Sequence, residues 1–201
     1  MNFIDLTHEI KNGIAEYPDD PKTEISFFKK PTIDDSLALL EYKTGMHTGT
    51  HIDAPFHYIL NGKKVTDIPL NDLCGRATVI KSNSKEISLP HNHLEEIVII
   101  ITGECNNFGS YDYFHNNPYL TNESAETLIK NNVKIVALDT CSVDKNGENK
   151  IHKKLLENNV CIVENLTNTD QLNRKEYYAF FIPLNIDCEA SPIRAFVRKV
   201  D

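Results

Sequence analysis

Short apolar runs recur along the chain at 25–28, 77–81, 97–102, 134–138, 160–163, 178–184 and 193–200. Most are rich in Val, Ile, Phe or Tyr, side chains that suit a pleated, half-buried surface, so each run predicts a strand. Several, the run from Ile97 to Ile101 above all, are apolar at consecutive positions and read as interior strands covered on both faces. Helical signals are fewer. Thr121 offers a capping hydroxyl, and Glu123 and Glu126 place acids in the first turns ahead of Leu128 and Ile129; Asn131-Asn132 closes that helix. A second short helix is predicted over 151–157, stopped by Asn158-Asn159. Helix followed by apolar strand, twice, indicates a mixed α/β chain. The stretch from Gly45 to Gly62, with its glycines and Pro55, fits neither pattern and is expected as a loop or irregular strand, where functional groups tend to sit.

The 201 residues are expected to form a single domain, 1–201, at roughly 100–200 residues per domain, large enough to fold without a disulfide or structural metal. With 21 Lys+Arg against 29 Asp+Glu, the formal charge of -8 argues against phosphate neutralisation, and so against a nucleic-acid partner. No apolar run approaches the roughly 20 residues that span a bilayer, and the first residues lack the basic start and apolar middle of a signal peptide, so no membrane partner is expected. The expected location is cytoplasmic. The five cysteines (Cys74, Cys105, Cys141, Cys161 and Cys188) should then stay reduced; their odd number and the absence of C-x-x-C spacing disfavour a disulfide framework or zinc ribbon.

Chemistry concentrates in residues 45–57, Gly-Met-His-Thr-Gly-Thr-His-Ile-Asp-Ala-Pro-Phe-His. His47, His51, Asp53 and His57 all hold odd positions, so an extended backbone would point all four to one side. Any one of these histidines, taken alone, reads as an ordinary solvated loop residue. Three imidazoles and a carboxylate on one face make a poor core and a good site for Zn²⁺, Mn²⁺ or Fe²⁺. A catalytic ion commonly takes three protein ligands and a water. His47, His51 and Asp53 fill that quota and leave His57 spare, placed as a general acid–base that titrates near neutral pH.

A second candidate pair lies far along the chain. Glu164 ends the apolar strand 160–163, where a buried carboxylate costs several kcal/mol unless paired with a cation or metal. A helix folded back on that strand would bring His152 towards it. Asp139 and Asp144 flank a strand end and could line the pocket, though loop carboxylates are ordinarily solvated; His8 could stand near the site but is expected to hydrogen-bond locally, and His91, His93 and His115 are expected as loop residues. Cys141 and Cys161 read as small buried hydrophobes. Arg194 is expected either in a structural ion pair or on a substrate carboxylate.

Together these residues resemble the cyclase-family metal-dependent hydrolases, whose best-known members are the bacterial kynurenine formamidases. The family signature H-x-G-T-H-x-D-x-P-x-H is matched at every fixed position from His47 to His57. The likeness extends over nearly the whole chain: Asp5-Leu6-Thr7-His8, Tyr17-Pro18-Asp19-Asp20-Pro21, the stretch from Ile68 to Gly75, Thr102-Gly103, the stretch from Leu138 to Asp144, His152, Val163-Glu164-Asn165-Leu166, Ile182-Pro183-Leu184, and Ser191-Pro192-Ile193-Arg194-Ala195.

The resemblance implies a swivelling β/β/α fold with a central mixed β-sheet or barrel, assembled as a homodimer or homotetramer. It also implies two divalent ions per subunit, Zn²⁺ with Mn²⁺ as the alternative. Carried over, His47, His51, Asp53 and Glu164 would hold one ion, and Asp53, His152 and Glu164 the other. His57 would carry the proton. The implied reaction is metal-dependent hydrolysis of a small-molecule amide or formamide, such as N-formyl-L-kynurenine to L-kynurenine and formate. Alternatives are the opening of a cyclic amide or ester, as isatin hydrolases do, and a metal-binding protein without turnover. Where formamidases carry a substrate-stacking Trp, this Trp-free chain has Tyr17, with Asp19 in place of the Gly that follows; Asp187-Cys188-Glu189-Ala190 replaces a Gly-rich segment. These departures fall on substrate recognition and leave the metal ligands intact.

Overall fold

A computed structural model of the chain describes residues 2–200. In chain order its elements are β1 (Phe3–Asp5), β2 (Glu24–Lys29), β3 (Leu39–Lys43), β4 (His51–Asp53), β5 (Cys74–Lys81), β6 (Glu86–Ile87), β7 (Ile97–Ile101), α1 (Tyr111–His115), β8 (Tyr119–Leu120), α2 (Asn122–Lys130), β9 (Ile135–Leu138), α3 (Lys150–Glu157), β10 (Cys161–Glu164), β11 (Glu176–Pro183) and β12 (Ala190–Lys199). Every predicted strand and both predicted helices are present, with ends within about three residues. The Thr121 hydroxyl accepts the Ser124 amide as the cap of α2.

The main sheet runs β1-β12-β11-β5-β7-β9-β10-β4, and β4 pairs with β12 as well as with β10. That double pairing closes seven strands into a mixed barrel. Strands β5, β7, β9 and β10 are mutually parallel, β4 and β11 run antiparallel to them at the two ends of that set, and β12 pairs antiparallel with both β11 and β4 to close the ring. The parallel strands alternate between two cores, as a two-residue period requires. Ile97, Ile99 and Ile101, Ile135 and Ala137, and Cys161 and Val163 pack with Ile52, Tyr177, Phe181 and Val197 in one cluster. Val98, Ile100, Val136, Leu138 and Ile162 pack with Leu128, Leu155 and Leu156 of α2 and α3 in the other.

This arrangement positions the chemistry. Glu164 shares parity with Ile162 and so lies on the face covered by α3, where His152 sits one turn above Leu155 and Leu156. The antiparallel register sets Glu164 opposite His51 and Ile162 opposite Asp53. Directly opposed residues bring their Cβ atoms to about 4.5–5.5 Å, so the barrel seam itself gathers residues distant in sequence. Among the described residues no helix is long and apolar enough to cross a membrane.

Candidate metal centre

The histidine-rich stretch is not one extended strand. Only His51–Asp53 is β; residues 46–50 form turns and Pro55–His57 a short 3₁₀ helix. The expected alternation therefore holds for His51 and Asp53 alone, while His47 and His57 reach the same side by chain reversal. The reversal needs Gly49, which adopts φ +63, and a Cβ there would lie 3.3 Å from Ile14.

His47, His51, Asp53, His57, His152 and Glu164 all line one cavity of about 250 Å³. Asp53 is at its centre. Around Oδ1 stand His47 Nδ1 at 2.9 Å and His51 Nε2 at 3.6 Å; His152 Nε2 is 3.7 Å from Oδ2. Glu164 Oε2 lies 3.6 Å from His51 Nε2, and its Oε1 3.2 Å from His152 Nε2. The ligand atoms of His51, Asp53 and Glu164 form one close group, and those of His47, Asp53 and His57 another, so the Asp53 carboxylate joins two clusters.

Both Asp53 oxygens are buried and, among the described residues, none meets either with hydrogen-bond geometry, His47 Nδ1 standing close at 2.9 Å as an ion-pair contact. A buried carboxylate in that condition calls for a cation or for protons on its neighbours. Two ligands on one tetrahedral ion at bonds near 2.1 Å would lie about 3.4 Å apart. The observed separations, 2.9–3.7 Å, bracket that value. The residues present therefore fit a divalent metal.

The groups behind these ligands fix their orientation. His51 Nδ1 donates to the Gly49 carbonyl at 2.9 Å, which turns Nε2 inward. The same carbonyl accepts from Asn165 Nδ2, and Asn165 Oδ1 in turn accepts from the Tyr113 hydroxyl. His152 Nδ1 donates to Asp144 Oδ2 at 2.7 Å, presenting its own Nε2 to Glu164 and Asp53. Glu164 Oε1 also accepts the Val143 amide. Metal-bound histidines commonly rely on such partners.

Electrostatics agree with a site built for positive charge. Burial pulls the His47 imidazole down, but the charge of Asp53, with Glu189 and Glu164, outweighs it and lifts the pKa to about 10. His152 is raised well above its ordinary value, burial being overcome by Glu164, Asp144 and Asp53. Burial raises Asp53 and Glu164, yet the surrounding imidazoles hold both below the usual carboxylate range. The buried carboxylates thus favour positive charge at their centre. His57 is lowered, by burial first, with Asp53 opposing and His47 adding to it.

Tyr17 lines the same cavity at 38% exposure, edge-on to Phe114. It opens a turn in which the Asp20 amide donates to the Tyr17 carbonyl, with Pro18 second and Asp19 third at φ 71. Asp tolerates that left-handed conformation, which explains how it can stand where the family uses Gly.

Several expectations are corrected. Asp139 and Asp144 are buried, not solvated. Asp139 accepts from Thr102, Gly103 and Thr169 and is a structural staple. Asp144 caps α3 through the Ile151 and His152 amides besides holding the His152 ring. Among the described residues the His8 ring finds no local hydrogen-bond partner: it stacks on Phe108 at 3.8 Å, its Nε2 is buried and unpartnered there, and burial lowers its pKa to about 4. Arg194 is engaged by Asp5 in a two-pronged pair, and Cys141 and Cys161 are buried as expected. Glu189 went unrecognised as a site neighbour; the pairing of Ala190 with Asp53 brings its carboxylate to 3.7 Å from His47 Nε2.

Comparison with known proteins agrees with this architecture. Residues 4–145 match the family model Cyclase, described as "Putative cyclase". The kynurenine formamidase of Bacillus cereus is 29% identical over 207 residues, covering 98% of each chain. An uncharacterized protein of Methanocaldococcus jannaschii is 35% identical over 201 residues, covering 96% of this chain and 97% of its own. Isatin hydrolase A of Labrenzia aggregata superposes with a TM-score of 0.83 at 20% identity, covering 100% and 94% of the two chains. A structure described as a potential metal-dependent hydrolase with cyclase activity gives 0.82 at 23%, covering 100% and 98%. The family match over most of the chain, on a barrel whose seam gathers the signature histidines and acids, establishes that this protein belongs to the cyclase family.

Proposed function

We propose that the protein is a metal-dependent amidohydrolase acting on an aryl formamide of the N-formyl-L-kynurenine type, releasing formate and the aromatic amine. The observation that carries this reading is the buried Asp53 carboxylate, without a hydrogen bond among the described residues, between three imidazoles and beside Glu164. His47, His51, Asp53 and Glu164 would hold one divalent ion and Asp53, His152 and Glu164 a second, zinc or manganese. Ions of this kind lower the pKa of a coordinated water towards 7 and polarise a carbonyl.

The chain's own groups supply the rest. Asp144 and the Gly49 carbonyl hold His152 and His51 with Nε2 facing inward. His57, lowered below its ordinary value, is neutral at pH 7 and exchanges one proton at a ring nitrogen. Hydrolysis adds the elements of water across the C–N bond, and His57 delivers the proton that the departing nitrogen requires. Tyr17, Phe108, Phe114 and Tyr58 give the cavity an aromatic wall suited to stacking on a flat ring. Its volume, about 250 Å³, lies just under the usual 300–1,000 Å³ of ligand pockets and favours a small ring system.

The name of the B. cereus relative supports the formamide. The isatin hydrolase likeness is one of fold, and the same centre would also open a cyclic amide or ester. Residues 1–201 act as one domain, because β1, near one end of the chain, pairs along β12, near the other, in the same sheet. The working unit is a homodimer or homotetramer, and the five unpaired thiols suit a reducing compartment such as the cytoplasm. Purified protein stripped with chelator and reloaded with Zn²⁺ or Mn²⁺ should regain hydrolysis of N-formylkynurenine in preference to isatin and simple lactones. Full turnover by metal-free protein would defeat the reading; preference for isatin would redirect it to ring opening.

A further inference from the structure

His47, His51 and His152 each offer one ring nitrogen to the carboxylates at the centre and turn the other away. For two of them an oxygen waits behind the ring: the Gly49 carbonyl lies 2.9 Å from His51 Nδ1, and Asp144 Oδ2 lies 2.7 Å from His152 Nδ1. Both rings are nearly sealed, with side chains 3% and 8% exposed. His47 is held less firmly. It sits in the turns at 46–50, its side chain is 23% exposed, and Nδ1 faces Asp53 Oδ1 at 2.9 Å. Its other nitrogen, Nε2, has Glu189 Oε1 at 3.7 Å. Backbone pairing fixes where Glu189 stands. The Ala54 amide donates to the Glu189 carbonyl at 2.8 Å, the Val65 amide to the Cys188 carbonyl at 3.0 Å, and Ala190 pairs with Asp53. Among the described residues no Lys or Arg engages the Glu189 carboxylate in an ion pair, which leaves it to His47.

We infer that Glu189 is a positioning residue for His47: its carboxylate accepts the Nε2–H of the ring and so commits Nδ1 to the metal. The inference rests on the metal-centre reading and adds to it a support that comes from the turn before β12. With Glu189 counted, all three imidazoles have an oxygen acceptor behind them, the arrangement that fixes the tautomer and the direction of a metal-bound ring. A ring set in a turn and partly in water gains the most from such a partner. Glu189 stands beyond the far nitrogen of the ring, so it acts through His47 and is not itself a ligand of the same ion. Rotation of its half-exposed side chain is enough to close 3.7 Å to hydrogen-bond distance. Charge agrees. The two divalent ions of the proposed centre bring four positive charges. Asp53 and Glu164 at the centre, with Asp144 and Glu189 behind the rings, bring four negative ones.

Zinc affinity of the full chain, measured by chelator competition, should fall about tenfold or more in Glu189→Ala. Glu189→Gln keeps an oxygen acceptor for Nε2–H and should recover most of that loss. Asp187→Ala, which breaks the neighbouring surface pair with Lys64, should bind zinc as the wild type does. If Glu189→Ala fails to fold, long-range ¹⁵N spectra of the zinc-loaded wild type decide. His47 should show a protonated Nε2 and a metal-bound Nδ1, the reverse of His51 and His152. Wild-type zinc affinity in Glu189→Ala, a Gln variant as weak as the Ala variant, an equal loss in Asp187→Ala, or His47 bound to zinc through Nε2 would each overturn the role of Glu189 and leave the metal centre standing. A wild type without affinity for zinc would overturn the metal centre and this inference with it, so the two failures are told apart.

Discussion

Asp144 Oδ2 lies 2.7 Å from His152 Nδ1, and the same carboxylate accepts the first free amides of the helix that carries His152. One side chain therefore sets both the start of α3 and the direction of the ring. Asp144→Asn retains an acceptor for Nδ1–H, whereas Asp144→Ala removes it. Metal affinity by chelator competition should fall about 10–100-fold in the Ala variant and less in the Asn variant. The Ala variant should also lose about 1–2 kcal/mol of stability with the cap. Unchanged affinity in Asp144→Ala would mean that His152 needs no support.

The role of His57 is open to a direct test because its ring is 4.4 Å, centroid to centroid, from that of His47 and its ligand atom groups with those of His47 and Asp53. As a proton carrier, His57→Ala should keep its metal content and lose about 10²–10⁴ in kcat. Since His57 is lowered, the acid limb of kcat/KM should fall below pH 6.5 in the wild type. Loss of metal in the variant would make His57 a ligand instead.

Metal-free protein should become less stable at alkaline pH. The His47 pKa rises from 6.5 unfolded to about 10 folded. A raised pKa means that the bound proton stabilises the fold. That contribution is complete below about pH 6.5 and is lost as pH rises through about 10. Asp53 and Glu164 are lowered and act in the opposite sense, losing their contribution as pH falls into and below the ordinary carboxylate range. Thermal melts of chelator-treated protein should decline from pH 7 to 10, and His47→Asn should flatten the decline. A Tm rising over that range would contradict the charge arrangement.

Much of this was readable from the residues, and the failures have physical causes. Strands β7, β9 and β10 were legible because each is apolar on both faces, and α2 because Thr121 caps it. The signature histidines marked the site, but the backbone turns at Gly49 and Pro55 where alternation assumes extension. Strand β3 escaped notice because Leu39, Leu40 and Tyr42 have no covering layer within the chain. Glu189 was missed as a site residue because pairing of β12 with β4 brings it there, and Asp144, offered by the sequence as a pocket candidate but read first as solvated, is set behind His152 by the fold-back of α3.

Tyr17 should govern affinity more than turnover. It stands on the cavity wall, edge-on to Phe114, and its hydroxyl lies 3.5 Å from Asn146. Tyr17→Phe should remain close to wild type for an aryl formamide, whereas Tyr17→Ala should raise KM several-fold with less effect on kcat. Equal KM values in steady-state assays of all three would remove Tyr17 from substrate recognition.

The central claim is that Asp53 and Glu164, from distant parts of the chain, share divalent ions with His47, His51 and His152. Anomalous diffraction at the zinc edge, from crystals grown with excess zinc, tests it most directly. The account predicts one or two strong peaks about 2.0–2.2 Å from Asp53 and Glu164 oxygens and from histidine nitrogens. No anomalous peak between Asp53 and Glu164, with zinc in saturating excess, would contradict it.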